Sequence, residues 1–149
     1  MSNSAAGAAT RTPRHLWVVG VVTLLWNCVG ALDYVMTQTK NEAYMKGFTP
    51  AQLDYFYGFP AWVVGAWAIA VWGGVAGSIL LLLRKSVALP VLIVSFVAMC
   101  VTTIYNFGLS NGIEVMGGPG ALIFSAVIFV VAFALVLYAR AMKNRGVLA

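Results

Sequence analysis

Charge is what this chain has least of: 9% of its 149 residues are Asp, Glu, Lys or Arg, against roughly 25% in soluble domains. Hydrophobic residues make up 62%, and a soluble domain of this length has too little interior to hide that much apolar surface. The apolar runs must therefore face lipid and one another, as one compact membrane domain. Histidine is nearly missing too. The single one, His15, stands beside Arg14 at the edge of an apolar run, which excludes a bis-histidine haem or a His-rich metal centre inside the membrane. The two cysteines, Cys28 and Cys100, fall in mid-run with no C-x-x-C pairing and read as small buried hydrophobes. With no nucleophile set beside a base and no cluster of metal ligands, the chain does not read as an enzyme, and no cofactor or metal is expected. A formal charge of +5 would suit nucleic acid, but the cations flank hydrophobic runs instead of forming a stripe, so no nucleic-acid partner is expected.

What is present is four apolar runs of bilayer-crossing length, at about 16–36, 60–83, 87–109 and 119–139. They predict an all-α membrane protein, a four-transmembrane-helix bundle over residues 15–140, with a disordered tail at 1–14 and a basic tail at 141–149. The first run is too long for a signal-peptide core and lacks a small-x-small cleavage site, so an uncleaved helix is expected. Arg11, Arg14, Arg84, Lys85, Arg140, Lys143 and Arg145 flank one set of helix ends, and only Lys40 and Lys46 the other. The positive-inside rule then puts both termini in the cytoplasm and the bundle in the plasma membrane, the inner membrane of a bacterium. All four acids, Asp33, Glu42, Asp54 and Glu114, fall on the outer side.

The longest loop, 37–59, has structure of its own. Thr49-Pro50-Ala51-Gln52 has the form of a capping box with proline at the first helical position, so a short helix is predicted from Pro50, ended by Gly58. Leu53, Phe56 and Tyr57 give it an apolar face, and Tyr34, Tyr44, Tyr55, Phe59 and Trp62 extend this into an aromatic belt. Such a segment is either an anchor lying in the interface or a lid over a site between the helices. The second outer loop is closed by a Ser110-Asn111-Gly112 turn, Glu114 and the breaker Gly117-Gly118-Pro119-Gly120.

In the second run Gly73-x-x-x-Gly77 overlaps Gly74-x-x-x-Ser78, so Gly73, Gly77 and Ser78 mark a helix-packing seam. Its partner is a helix of the same chain or of another, which leaves open a homo-oligomer or a larger membrane complex. Trp67 and Trp72 are expected to fill gaps in the bundle. Along the third run Ser95, Met99, Thr102 and Asn106 share a face; serine and threonine usually bond their own helix, so only Asn106 calls for a partner. The fourth run is apolar all round except Ser125, which suits a helix largely exposed to lipid.

The first run carries the stretch Trp26-Asn27-Cys28-Val29-Gly30-Ala31-Leu32-Asp33-Tyr34. An aspartate at the membrane centre costs about 2.5–3.5 kcal/mol on insertion scales, so polar residues here need a partner, a cavity or a role. Gly20, Thr23, Asn27, Gly30, Tyr34 and Thr37 recur at steps of three and four, making one face small or polar from end to end. At 1.5 Å per residue Asp33 stands roughly 9 Å nearer the outer surface than Asn27, at a depth similar to Asn106 and within reach of it. Two accounts follow. In the structural one Asn27 bridges to a neighbouring helix backbone and Asp33 reaches the headgroups or pairs with Lys40. In the functional one Asn27, Asp33, Tyr34 and Asn106 line an outward-open polar pocket, with Asp33 accepting a cation or proton and Tyr34 or Trp26 as a platform. The pairs Trp26-Asn27 and Tyr105-Asn106, each on an outgoing helix, also raise the prospect of two hairpin repeats.

The segment W-N-x-x-G-x-x-D-Y, then G-F-P-A-W at Gly58 to Trp62, G-S-x-L-L-L-L-R-K at Gly77 to Lys85 and Leu89-Pro90 resemble an uncharacterised family of small bacterial four-helix integral membrane proteins. Some of its members carry the label "sugar transporter". The resemblance covers about Leu16 to Asn111 and implies a four-helix bundle without an established mechanism. The expected function is the handling of a small polar or cationic solute in the membrane, transporter-like. The alternative is a non-transporting accessory or structural subunit that docks through the Gly73/Gly77 face and the interfacial helix. The partner common to both is the lipid bilayer.

Overall fold

The computed structural model describes residues 12–110, 114–115 and 119–149. Most of the tail expected at 1–14, the Asn111-Gly112 turn and Gly117-Gly118 lie outside the described residues. The rest is helical: α1 (Arg14–Gln38), α2 (Glu42–Met45), α3 (Pro50–Tyr57), α4 (Ala61–Leu82), α5 (Ala88–Ile104) and α6 (Pro119–Asn144). The end of α5 widens into a π-helical turn, Tyr105–Leu109. Four of these helices are long and apolar enough to cross a membrane.

Prolines set several starts. Pro13 and Pro60 are the N-cap residues of α1 and α4, where an extended backbone and a missing N–H cost the helix nothing. Helix α3 has the expected capping box: Thr49 Oγ1 accepts from the Gln52 amide at 3.2 Å and Gln52 Oε1 from the Thr49 amide at 3.1 Å. Gly58 closes it with a 3.0 Å bond to the Asp54 carbonyl, and a Cβ at Gly58 would come within 2.9 Å of that oxygen.

The long helices pack in chain order, α1 on α4, α4 on α5 and α5 on α6, with no comparable seam between α1 and α6. Small residues set the register of α1 on α4: Gly20 receives Leu82, Asn27 sits against Gly74, Gly30 faces Val71 and Tyr34 packs on Trp67. One step round α4, Gly73 and Gly77 face Ser95 and Leu92 of α5. The glycine seam is therefore spent on two partners within the chain. On the opposite face of α4, Ile69, Trp72, Ile79 and Leu83 point outward. Trp72 thus belongs to the lipid-facing stripe and fills no gap, a correction set by its position on the helix wheel. Cys28 is corrected for the same reason: with Leu25, Val29 and Leu32 it lies on the exposed face of α1, while Cys100 is half-buried and both thiols are free.

At the end where α1 begins and the C-terminus folds back, all four long helices converge. Leu16, Leu81, Leu92, Leu135, Ala139 and Met142 form a buried cluster, and Tyr138 and His15 share a hydrogen bond of 2.5 Å. Helix α6 runs five residues past its expected end at 139, and the segment expected as a basic tail folds back. Val147 and Leu148 are buried, and the Ala149 amide donates to the Arg84 carbonyl at 2.9 Å. Arg84, Lys85, Arg140, Lys143 and Arg145 share this end with Arg14, whereas Glu42, Asp54, Lys40 and Lys46 lie on or beside α2 and α3 at the other.

Candidate functional site

Away from the termini the bundle opens. A cavity of about 640 Å³ lies between α1, α4, α5 and α6, reaching from Leu92 and Leu135 up to Asp33 and Asn106. That volume is within the 300–1,000 Å³ range typical of small-molecule sites. The first loop roofs it. Tyr44 and Phe48 from the α2 segment, and Tyr55, Phe56 and Phe59 from α3 and its exit, all line the cavity. They form a continuous chain: Tyr44 is tilted on Phe48, and the contacts of Phe48 with Phe56, Phe56 with Phe59, and Phe59 with Trp67 and Tyr105 are edge-on. The aromatic face of this loop thus lies over the cavity, and we call it the lid.

Two tyrosines latch the lid to opposite walls. The Tyr44 hydroxyl donates to Asp33 Oδ1 on α1. Tyr55 donates to Asn106 Oδ1 at 2.6 Å and shares a 2.7 Å bond with Ser110 Oγ. Both partners on α5 are presented by its π-helical end, a feature often found beside functional sites. Burial, then the bond to Asp33 and its negative charge, push the Tyr44 hydroxyl up to about 12. Burial also raises Tyr55, with the Ser110 bond pulling the other way. Each hydroxyl therefore stays protonated and able to donate at neutral pH.

Of the expected pocket residues, Asn27, Asp33 and Asn106 all line this one cavity. Asp33 and Asn106 do not bond each other; each is taken by a different lid tyrosine. Nor does Lys40 pair with Asp33: its ammonium lies 4.8 Å from the centre of the Tyr57 ring. Tyr34 packs edge-on against Trp67, ring centres 4.9 Å apart, and is not part of the lining, whereas Trp26 is. Asn27 has a double role. Its Nδ2 donates to Ser78 Oγ on α4 at 3.1 Å, a side chain where the sequence pointed to a backbone partner, and another part of it faces the cavity. Asn27 lies at the middle of α1, whereas Asn106 lies in the π-helical turn that ends α5. Ser95 departs from the local rule by donating across to the Ala70 carbonyl of α4 at 2.5 Å.

Sequence reasoning raised a lid but did not count Tyr44, Phe48 and Tyr55 among the pocket residues, and it missed the α6 wall, Phe124, Ser125, Ile128 and Val131. The aromatic richness of loop 37–59 was the available signal for the first. An all-apolar α6 gave none for the second. Asp33 is the only charged residue among the described lining residues, and no group of His, Cys, Asp and Glu among the described residues could hold a metal ion. One carboxylate among aromatic faces suits a cation. The fold and cavity together define a class, a four-helix membrane bundle with a roofed cavity between its helices. Comparison with family models, curated proteins and solved structures found no match.

Proposed function

We propose that this protein binds a small cationic solute within the membrane, beneath the α2–α3 lid, and handles it in the manner of a transporter rather than an enzyme. The observation that carries the reading is Asp33: the one charged residue among the described residues lining the cavity, set at its roofed end and bonded there by a lid tyrosine. A bound cation would replace the Tyr44 hydroxyl as the partner of Asp33, so ligand binding and release of that latch are one exchange. Tyr55 with Asn106 and Ser110 would keep the other side of the lid in place or let it swing. The asymmetric cations support a location in the bacterial inner membrane with cytoplasmic termini, which would turn the lid outward. The resemblance to small bacterial membrane proteins labelled sugar transporters fits a solute-handling role, although a single carboxylate among aromatic rings favours a cation over a sugar. The accessory-subunit alternative keeps the interfacial helix as a docking element but not the Gly73/Gly77 face, which α5 occupies.

Thermal shift in detergent tests this reading with a series of amines, quaternary ammonium ions, sugars and metal cations. A ligand at 100 times its Kd contributes about 2.7 kcal/mol, enough to resolve. Stabilisation by an organic cation that vanishes in Asp33→Asn is expected. Equal stabilisation of both forms, or stabilisation only by sugars, contradicts it.

A further inference from the structure

We propose that the preferred ligand is an amphiphile, an organic cation bearing a single alkyl chain, and that it enters sideways from the bilayer between α1 and α6. This deepens the cation-site reading above and rests on it. The first ground is the missing seam: α1 and α6 are joined at the termini end, through His15 and Tyr138, and share no packing seam above it. Both nevertheless wall the cavity. The second ground is that wall residues are also outer-surface residues. Val29 on α1 is 67% exposed and Phe124 on α6 is 61% exposed, yet each lines the cavity, so its walls run continuously out to the lipid-facing surface.

The third ground is the division of polarity along the cavity. Asp33 and Asn106 stand at the roofed end with the lid tyrosines, while Leu92, Phe96, Val131 and Leu135 supply an apolar lower part. The polar groups at that depth, Asn27 and Ser95, already bond α4. From Phe124 to Leu135 the α6 wall rises roughly 16 Å, room for an extended chain below a headgroup. A wholly polar solute would leave this part unmatched, whereas an alkyl chain entering from the bilayer packs against it through dispersion contacts. Lipids with anionic heads fit poorly, because the only charge described in the lining is the carboxylate.

The test uses the full-length protein in nanodiscs of an uncharged glycolipid, with dodecyltrimethylammonium and tetramethylammonium as probes. Thermal-shift midpoints should give the dodecyl compound at least tenfold tighter apparent binding, and Asp33→Asn should abolish saturable binding of both. A dodecylammonium probe with a diazirine at its chain end, photolysed on the wild-type protein, should place adducts on Val131 or Leu135. That mapping does not depend on whether Asp33→Asn folds. Equal midpoints for the two cations would overturn the amphiphile while leaving the cation site standing. Adducts confined to the outward stripe of Val18, Val22 and Leu25 would overturn sideways entry into the cavity. Binding of both probes unchanged by Asp33→Asn, in a variant that folds, would overturn this inference and the cation site together.

Discussion

Asp33 and Tyr44 are eleven residues apart in sequence and meet because α1 ends and the chain turns back over its own helix. Replacing Asp33 with Asn keeps an acceptor for the Tyr44 hydroxyl; a bond to a carboxylate is worth about 1.5–3 kcal/mol net and a neutral one about 0.5–1.5, so the folded state should lose about 1 kcal/mol. The ligand-induced shift should disappear while the melting temperature without ligand moves by only a few degrees; a collapse in expression or melting would make Asp33 structural instead. Tyr44 adds a pH prediction. Its folded value is raised to about 12 from 10, so the proton it holds stabilises the closed lid fully below pH 10, and that contribution is lost as pH rises through 12. Ultraviolet titration of tyrosinate, wild type against Tyr44→Phe, should show one high-titrating tyrosine missing from the variant. If the difference curve titrates at the ordinary value of 10, the Tyr44–Asp33 contact is not maintained in solution. At this scale the sequence marked Asp33, Asn27 and Asn106 through the cost of polar groups in hydrocarbon. It could not assign their partners, because Ser78, Tyr44 and Tyr55 reach them only once the helices are packed.

Between elements, the glycine seam and the lid make separate predictions. Gly77→Leu would drive a side chain into Leu92 of α5, and such overpacking costs about 1–3 kcal/mol. The expected result is a lower melting temperature at unchanged particle size, read by size-exclusion chromatography with light scattering. Dissociation of a larger particle would assign the seam to a second chain. Tyr55→Phe removes the lid's bonds to Asn106 and Ser110 and should speed amide exchange in α3 by about tenfold for each 1.4 kcal/mol lost, leaving α4 unchanged. Exchange in α3 that does not change would mean the aromatic chain alone holds the lid. The start and stop of α3 were legible because capping is local chemistry: Thr49, Pro50, Gln52 and Gly58 act within one short segment. The π-helical turn was not, since Gly108 marks a weak point in the helix without specifying a wider turn, and that turn coincides with Tyr55 docking from another element. The glycine spacing revealed a seam but not its division, because adjacent faces of α4 serve different neighbours.

For the molecule as a whole, number and length of the crossing helices were legible in hydropathy, whereas their arrangement as a row open between α1 and α6 was not. An apolar helix facing lipid and one walling a cavity have the same composition. Topology remains to be tested by single cysteines at exposed positions in a background lacking Cys28 and Cys100: Gly47→Cys and Glu114→Cys should react with an impermeant reagent from outside, Lys85→Cys and Asn144→Cys should not. Outside labelling at residue 85 would reverse the orientation. The central claim is that Asp33 sits in a cavity that a cation occupies, and carboxylate footprinting measures this directly. A hydrophobic carbodiimide applied to the wild-type protein, with sites read by mass spectrometry, should modify Asp33, and a saturating organic cation should suppress that adduct. Glu42 and Asp54, exposed at the lid end, serve as internal references that the cation leaves unchanged. Selective protection of Asp33 is the predicted result; an Asp33 that reacts equally with and without every cation offered would contradict the account.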